Sequence, residues 1–158
     1  MTFRNSRLAA GLIVSSIAIL ASGTLARSQS IDLQQKCASQ ARIAYQESEL
    51  ENREQSTKLG ALSTSSSAYH SHYNTRLQKC LMLIDQNQAL GDQMSTGATL
   101  TDAYDRRLYA IYIWIGQESK KNSEMTPIVC ELIPSFPDKR NCTSREEFDA
   151  FVAGYMDE

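Results

Sequence analysis

Four cysteines, at positions 37, 80, 130 and 142, constrain this 158-residue chain more than any other feature. They follow an N-terminal stretch built like an export signal. Arg4 and Arg7 give a positive start, and Leu8 to Ala21, "LAAGLIVSSIAILA", is an apolar run of fourteen residues without a charge. Thr24 and Ala26 then occupy the minus-three and minus-one places of a cleavage site after Ala26, which completes the pattern of a secretory leader. A spanning helix needs about 20 apolar residues, so the run is short for an anchor. An uncleaved anchor is the alternative, because the local motif decides cleavage and length alone does not. No cysteine lies near the end of the run, so a lipid-anchored start is unsupported. The expected organisation is a signal peptide over 1–26 and one domain over 27–158. Its sulfurs would enter a periplasmic or secreted compartment, where disulfides persist.

Cutting after Ala26 removes two of sixteen basic residues and none of eighteen acids, leaving a net charge of 14 against 18, or −4. A mildly acidic domain offers no electrostatic footprint for nucleic acid. It also argues against stable association with an anionic membrane after cleavage. About 130 residues suit a single core. Four cysteines allow three connectivities, and sequence alone does not choose among them. The favoured pairing is Cys37 with Cys80 and Cys130 with Cys142. The second pair encloses "ELIPSFPDKRN", whose two prolines and polar tip suit a bent loop that brings its own ends together. Zinc needs close cysteine pairs such as C-x-x-C, and none occurs.

The stretch from Ile31 to Gly60 reads as a helix. Leu33, Cys37, Ala41, Ala44 and Ser48 recur at helical spacing, giving a narrow stripe of small groups that would lie close against a partner. "STSSSA", 63–68, reads as a loop or connector. "HYNTRLQKCLMLIDQNQ", 72–88, reads as one strand, with Tyr73, Lys79, Leu81 and Leu83 on one face and Asn74, Cys80, Met82 and Ile84 on the other; a helix stays open here, because Leu, Met and Gln favour one. Gly91 and Gly97 read as breakers. Residues 98–104 are expected to pair with 108–115 through a turn at Asp105–Arg107, although Tyr104, Leu108, Ile111 and Ile115 also fit a helical stripe. "IVCELI", 128–133, is a further strand. At the C terminus, Ser144 and Glu147 stand at capping-box spacing. Phe148, Phe151, Val152 and Tyr155 follow at i, i+3, i+4 and i+7. The fold class is α+β: an antiparallel sheet of about four strands, an N-terminal helix, a C-terminal helix and two disulfides.

Candidate chemistry is sparse. His70 and His72 are two apart, so on a strand both side chains leave one side, as a metal grip requires. The plainer reading has them capping backbone groups where a loop enters a strand. Cys80 shares their parity, and Asp85 is distant along the strand. No G-x-S-x-G, H-E-x-x-H or Gly-rich phosphate loop appears. Asp102, Asp105 and Glu118 offer carboxylates, which read as solvated hairpin charges. Tyr109, Tyr112 and Trp114 in "YAIYIWI" suit either a half-buried sheet face or a contact surface. "NCT", 141–143, matches a glycosylation sequon around a cysteine expected to be bridged, and reads as chance.

Taken together, "HYNTRLQKC", "DAYDRRLYAIYIW", two later cysteines and "EEFDAFVAGYM" resemble a group of small exported bacterial proteins of unassigned function. The resemblance spans about residues 37–157. It is carried by His72, Tyr73, Asn74, Lys79, Cys80, Asp102, Ala103, Tyr109, Ala110, Tyr112, Trp114, Cys130, Cys142, Phe148 and Met156. It implies an envelope location and brings no activity. The expected function is therefore non-enzymatic binding of a protein or another envelope partner, without a cofactor, with Tyr109, Tyr112, Trp114, His70 and His72 as contact candidates. The alternatives are an envelope hydrolase or metal-binding protein using His70 and His72, and a redox protein with free thiols.

Overall fold

The structure, a computed structural model, describes residues 22–59, 64–90, 93–117, 126–135 and 137–157. Residues 1–21 of the expected leader lie outside the described residues, as do Gly91, Glu118 and most of the β4–β5 connection. The elements run α1 (Ser22–Leu59), β1 (Thr64–Asn74), β2 (Lys79–Leu90), β3 (Gln93–Asp102), β4 (Leu108–Gln117), β5 (Val129–Ser135), β6 (Asp138–Asn141) and α2 (Arg145–Met156). No helix among the described residues is long and apolar enough to cross a membrane.

The α+β class holds, but the sheet has six strands and not four. They pair in chain order, β1-β2-β3-β4-β5-β6, each antiparallel to the next. Two strands escaped the sequence reading. The serine-rich stretch expected to be a connector is the start of β1: Ser65–Ala68 pair with Gln88–Asp85. The partner strand and the half-buried Tyr45 and Tyr69 decide here, not the weak strand preference of serine. The short β6 is fixed by the bent loop inside the Cys130–Cys142 bridge. The single strand expected over 72–88 is instead a hairpin, turning at Thr75–Gln78. Gln78 takes a φ of 53° in that turn, and Arg106 takes 61° in the β3–β4 turn. Positive φ without glycine is uncommon, which is why nothing in "NTRLQK" marks the reversal. Gly97 is no breaker; it lies inside β3 opposite Ile113.

The hairpin changes which residues share a face. His70, His72 and Asn74 pair with Leu83, Leu81 and Lys79, while Tyr73 pairs with Cys80. His72 and Cys80 are therefore on opposite faces, against the parity read from a continuous strand.

Each face carries its own core. On one, Cys37, Ala41 and Ala44 of α1 pack on Cys80, Met82 and Ile84 of β2, with Ala103, Tyr45, Tyr69 and Tyr73 around them. The small stripe brings α1 close to the sheet, as expected, but Leu33 stays exposed beyond it. On the other face, Phe148 and Val152 of α2 pack on Leu81, Leu100, Tyr112, Trp114, Leu132 and their neighbours. Helix α2 starts as its sequence predicts. The Ser144 hydroxyl accepts a hydrogen bond from the Glu147 N–H at 3.2 Å, and the Glu147 carboxylate accepts one from the Thr143 N–H at 3.0 Å. Four orphan donors open every helix; the Ser144 hydroxyl satisfies one of them, while the Glu147 carboxylate reaches one residue before the cap position that a capping box would use. Cys37 is bonded to Cys80 and Cys130 to Cys142, the favoured pairing. One bridge ties α1 to β2; the other closes the loop that leads from β5 into α2.

Candidate functional site

Three regions compete for the site: the aromatic run of β4, the polar cluster at the hairpin turns, and the groove beside His70. The first is not a surface. Tyr112 and Trp114 are each 1% exposed and Tyr109 is 5% exposed. Alternation sends Tyr112 and Trp114 to the face that α2 covers, and the register shift opposite Leu100 and Thr101 turns Tyr109 to the same face, so a large apolar area is removed from water there. Tyr112 meets the Phe148 ring at 5.7 Å between centroids, and Tyr109 meets Tyr155 at 5.5 Å. Arg145 closes the cluster from outside. Its guanidinium lies 5.4 Å above both the Tyr112 and Phe148 rings, and it bonds Asp85 at 3.0 Å and Asp149 at 2.8 Å. The expected aromatic contact patch is therefore core, and the helix covering it is the element whose stripe the sequence showed most clearly.

The second region sits where the β1–β2 and β3–β4 turns meet. Asp102 is 1% exposed and Asn74 is fully buried. Burying a carboxylate is costly unless it is paired. Lys79 supplies the pair at 2.9 Å and also reaches Asp105 at 3.0 Å. The remaining acceptor capacity of Asp102 takes the Tyr104 N–H at 2.8 Å. Hydrogen bonds to Asp102 and Asp105 hold the Lys79 ammonium well above the ordinary lysine range. The Arg107 N–H and then Lys79 hold Asp105 below the ordinary carboxylate range. Asn74 donates to the Tyr155 carbonyl at 3.0 Å and accepts from the Leu77 N–H at 2.9 Å, joining the first turn to α2. Each carboxylate and the ammonium between them has a partner within the chain, so the cluster ties the two turns together and Asp102 and Asp105 serve as turn anchors.

The third region is a groove of about 410 Å³ between α2 and the β1–β2 hairpin. Leu83, Val152, Ala153 and Met156 give it apolar walls; His70, Ser71, Asp149 and Asp157 bring polar groups to it. Pairing places His70 over Leu83 on the α2 face, and His70 is exposed there. Its neighbour Ser71 leaves the opposite face of the strand, so the two do not form a nucleophile–base pair. His72 shares the face of His70, two residues nearer the turn, and is half-buried. Among the described residues, no group of three or more His, Cys, Asp or Glu side chains stands close enough to hold a metal ion. Of the five contact residues expected from sequence, His70 lines this groove. Asp149, Ala153 and Met156 went unnoticed because they lie beside the apolar stripe of α2, where sequence reading expects ordinary solvated positions. No family model, no curated protein and no solved structure matches the chain.

Proposed function

We propose that this chain is an exported, disulfide-bonded binding domain that holds a segment of an envelope partner in the groove between α2 and the β1–β2 hairpin. The leader pattern and two bridges that bury all four sulfurs support the compartment. The observation that carries the binding role is the composition of the groove: an apolar strip of Leu83, Val152, Ala153 and Met156 beside the carboxylates of Asp149 and Asp157. Its volume lies within the range of about 300–1,000 Å³ usual for ligand sites. The last turn of α2 contains no basic residue, so the negative end of the helix adds to Asp157. A matching segment inserts one apolar side chain and sets Lys or Arg beside it.

Selection from a random displayed-peptide library tests this directly. Enriched peptides are expected to carry an apolar residue next to a basic one. Calorimetry should show binding weakened about tenfold or more by Ala153→Arg, which fills the groove, and by Asp157→Lys, which reverses its charge. Binding should survive His72→Ala. Peptides that ignore Ala153→Arg would sink the groove reading. Metal found in the purified protein and lost on His72→Ala would favour the two-histidine alternative instead.

A further inference from the structure

The two edges of the sheet are treated differently. At one edge, β6 is four residues long, all exposed, three of them charged, and the β5–β6 register breaks between Leu132 and Ser135. Short, charged and irregular edges resist further pairing. At the other edge, β1 runs for eleven residues in unbroken register with β2, without Pro, Lys, Arg, Asp or Glu. Part of it is covered. The Gln34 side chain of α1 accepts from the Tyr73 N–H at 2.9 Å and donates to the Ser71 carbonyl at 3.4 Å, occupying the place of a next strand. Those bonds also fix which groups point outward. In an antiparallel ladder alternate residues turn both N–H and C=O to the same side. Ser65, Ser67 and Tyr69 therefore present their backbone groups away from β2, and no backbone bond to another described segment takes them.

Helix α1 runs antiparallel to β1 above this edge, because Gln34 meets Ser71 and Tyr73 while Tyr45 bonds Ser67 and stacks on Tyr69 with centroids 4.5 Å apart. Its inner flank faces the β3–β4 turn: Gln40 donates to the Ala103 carbonyl at 3.1 Å, and Glu47 pairs with Arg106. Arg42 and Glu49 stand two turns apart on the opposite flank, toward the side of β1 that faces away from β2. Tyr45, the residue bonded to Ser67, lies midway between them. A two-fold axis through Ser67 and perpendicular to the sheet would set Arg42 of each copy opposite Glu49 of the other.

We propose that β1 pairs antiparallel with β1 of a second copy of this chain, centred on Ser67, so that the two sheets become continuous and the two α1 helices lie side by side on one face. Ser65–Tyr69, Ser67–Ser67 and Tyr69–Ser65 form the hydrogen-bonded pairs, with about six backbone bonds in all. The uncharged strand brings no like charges together, and Arg42 with Glu49 sets the register twice. A copy pairing at β6 would gain neither.

Sedimentation equilibrium of the oxidised full chain at low salt is expected to show a dimer. Ser67→Pro removes an outward N–H and the hydroxyl bonded to Tyr45 but no bond to β2, and is expected to raise the dissociation constant about tenfold or more while the far-ultraviolet spectrum and both disulfides are kept. Arg42→Glu is expected to weaken the dimer about tenfold, and adding Glu49→Arg to restore it. A monomer at every concentration up to on the order of 1 mM, weaker than specific interfaces allow, overturns the proposal. So does a dimer that ignores either change, or one that the double charge swap leaves broken.

Discussion

Replacing Cys37 and Cys80 together with alanine is expected to lower the unfolding free energy by about 4 kcal/mol, against about 3 kcal/mol for the Cys130–Cys142 pair. The sequence separations are 43 and 12 residues. In the chain-entropy account the longer loop constrains the unfolded chain more. Packing makes the first loss harder to absorb. Helix α1 meets the sheet through Cys37, Ala41 and Ala44, side chains with little apolar area to bury. Most of what holds α1 in place is therefore covalent, with Gln34, Gln40 and Tyr45 adding hydrogen bonds at the margins and Arg106 bonding the Ala44 carbonyl and Glu47. Hydrogen exchange in the double variant should show α1 opening at residues 34–48 while β2–β4 remain protected, a local unit detaching before the sheet melts. Urea titration gives the magnitude. A loss below about 1 kcal/mol would mean that packing and hydrogen bonds, and not the Cys37–Cys80 bridge, hold α1 on the sheet.

The second large effect is expected from Lys79→Met, which should cost about 3 kcal/mol. It strips the cation from Asp102, a carboxylate only 1% exposed. Breaking such a pair from one side costs about 3–5 kcal/mol. The lower end applies because the Lys79 side chain is itself 35% exposed and Asp102 keeps the Tyr104 N–H. Changing Asp102→Asn in the same protein should recover most of the loss, since the amide oxygen still accepts from Tyr104 and no buried charge is left. The sign with pH follows from the raised pKa of Lys79. Its contribution is fully present below the ordinary lysine value of 10.5 and is lost as pH rises through the higher folded value. The gap between wild type and Lys79→Met should therefore be constant across neutral pH, narrow in strong alkali, and narrow again in acid as Asp105, held below the ordinary carboxylate range partly by Lys79, takes up its proton. A double variant no more stable than Lys79→Met would show that the ion pair is not what fixes these turns.

Parts of this architecture can be read from the chain and parts cannot, for physical reasons. Helix α2 is legible because Phe148, Phe151, Val152 and Tyr155 are large and correctly spaced, and Ser144 caps them. The β3–β4 hairpin is legible because Ile111–Ile115 is rich in β-branched and aromatic residues. The bridge between Cys130 and Cys142 is legible because two prolines bend the loop between them. Strand β1 is not, since "TSSSAYHSHYN" becomes a strand by pairing with Lys79–Ala89. Its turn is hidden because Gln78 accepts a positive φ that glycine or asparagine would have announced. That missed turn inverted the parity of everything before it, and so put His72 on the same face as Cys80. The groove was hidden for another reason. Its walls come from β1, β2 and α2, and residue spacing carries no information on which helix flank remains uncovered once the stripe is buried. The aromatic run misled in the opposite direction: "YAIYIWI" is as suitable for a core as for a contact surface, and α2 decides between them.

Among the described residues, a six-strand meander carries α1 stapled to one face and α2 closed down on the other. Mass spectrometry of the native protein, digested without reduction, tests that frame most directly. It should return peptides joining Cys37 to Cys80 and Cys130 to Cys142, with no free thiol. A peptide joining Cys37 or Cys80 to Cys130 or Cys142, or any cysteine left alkylatable in the folded protein, would contradict the placement of both helices and the groove built between them.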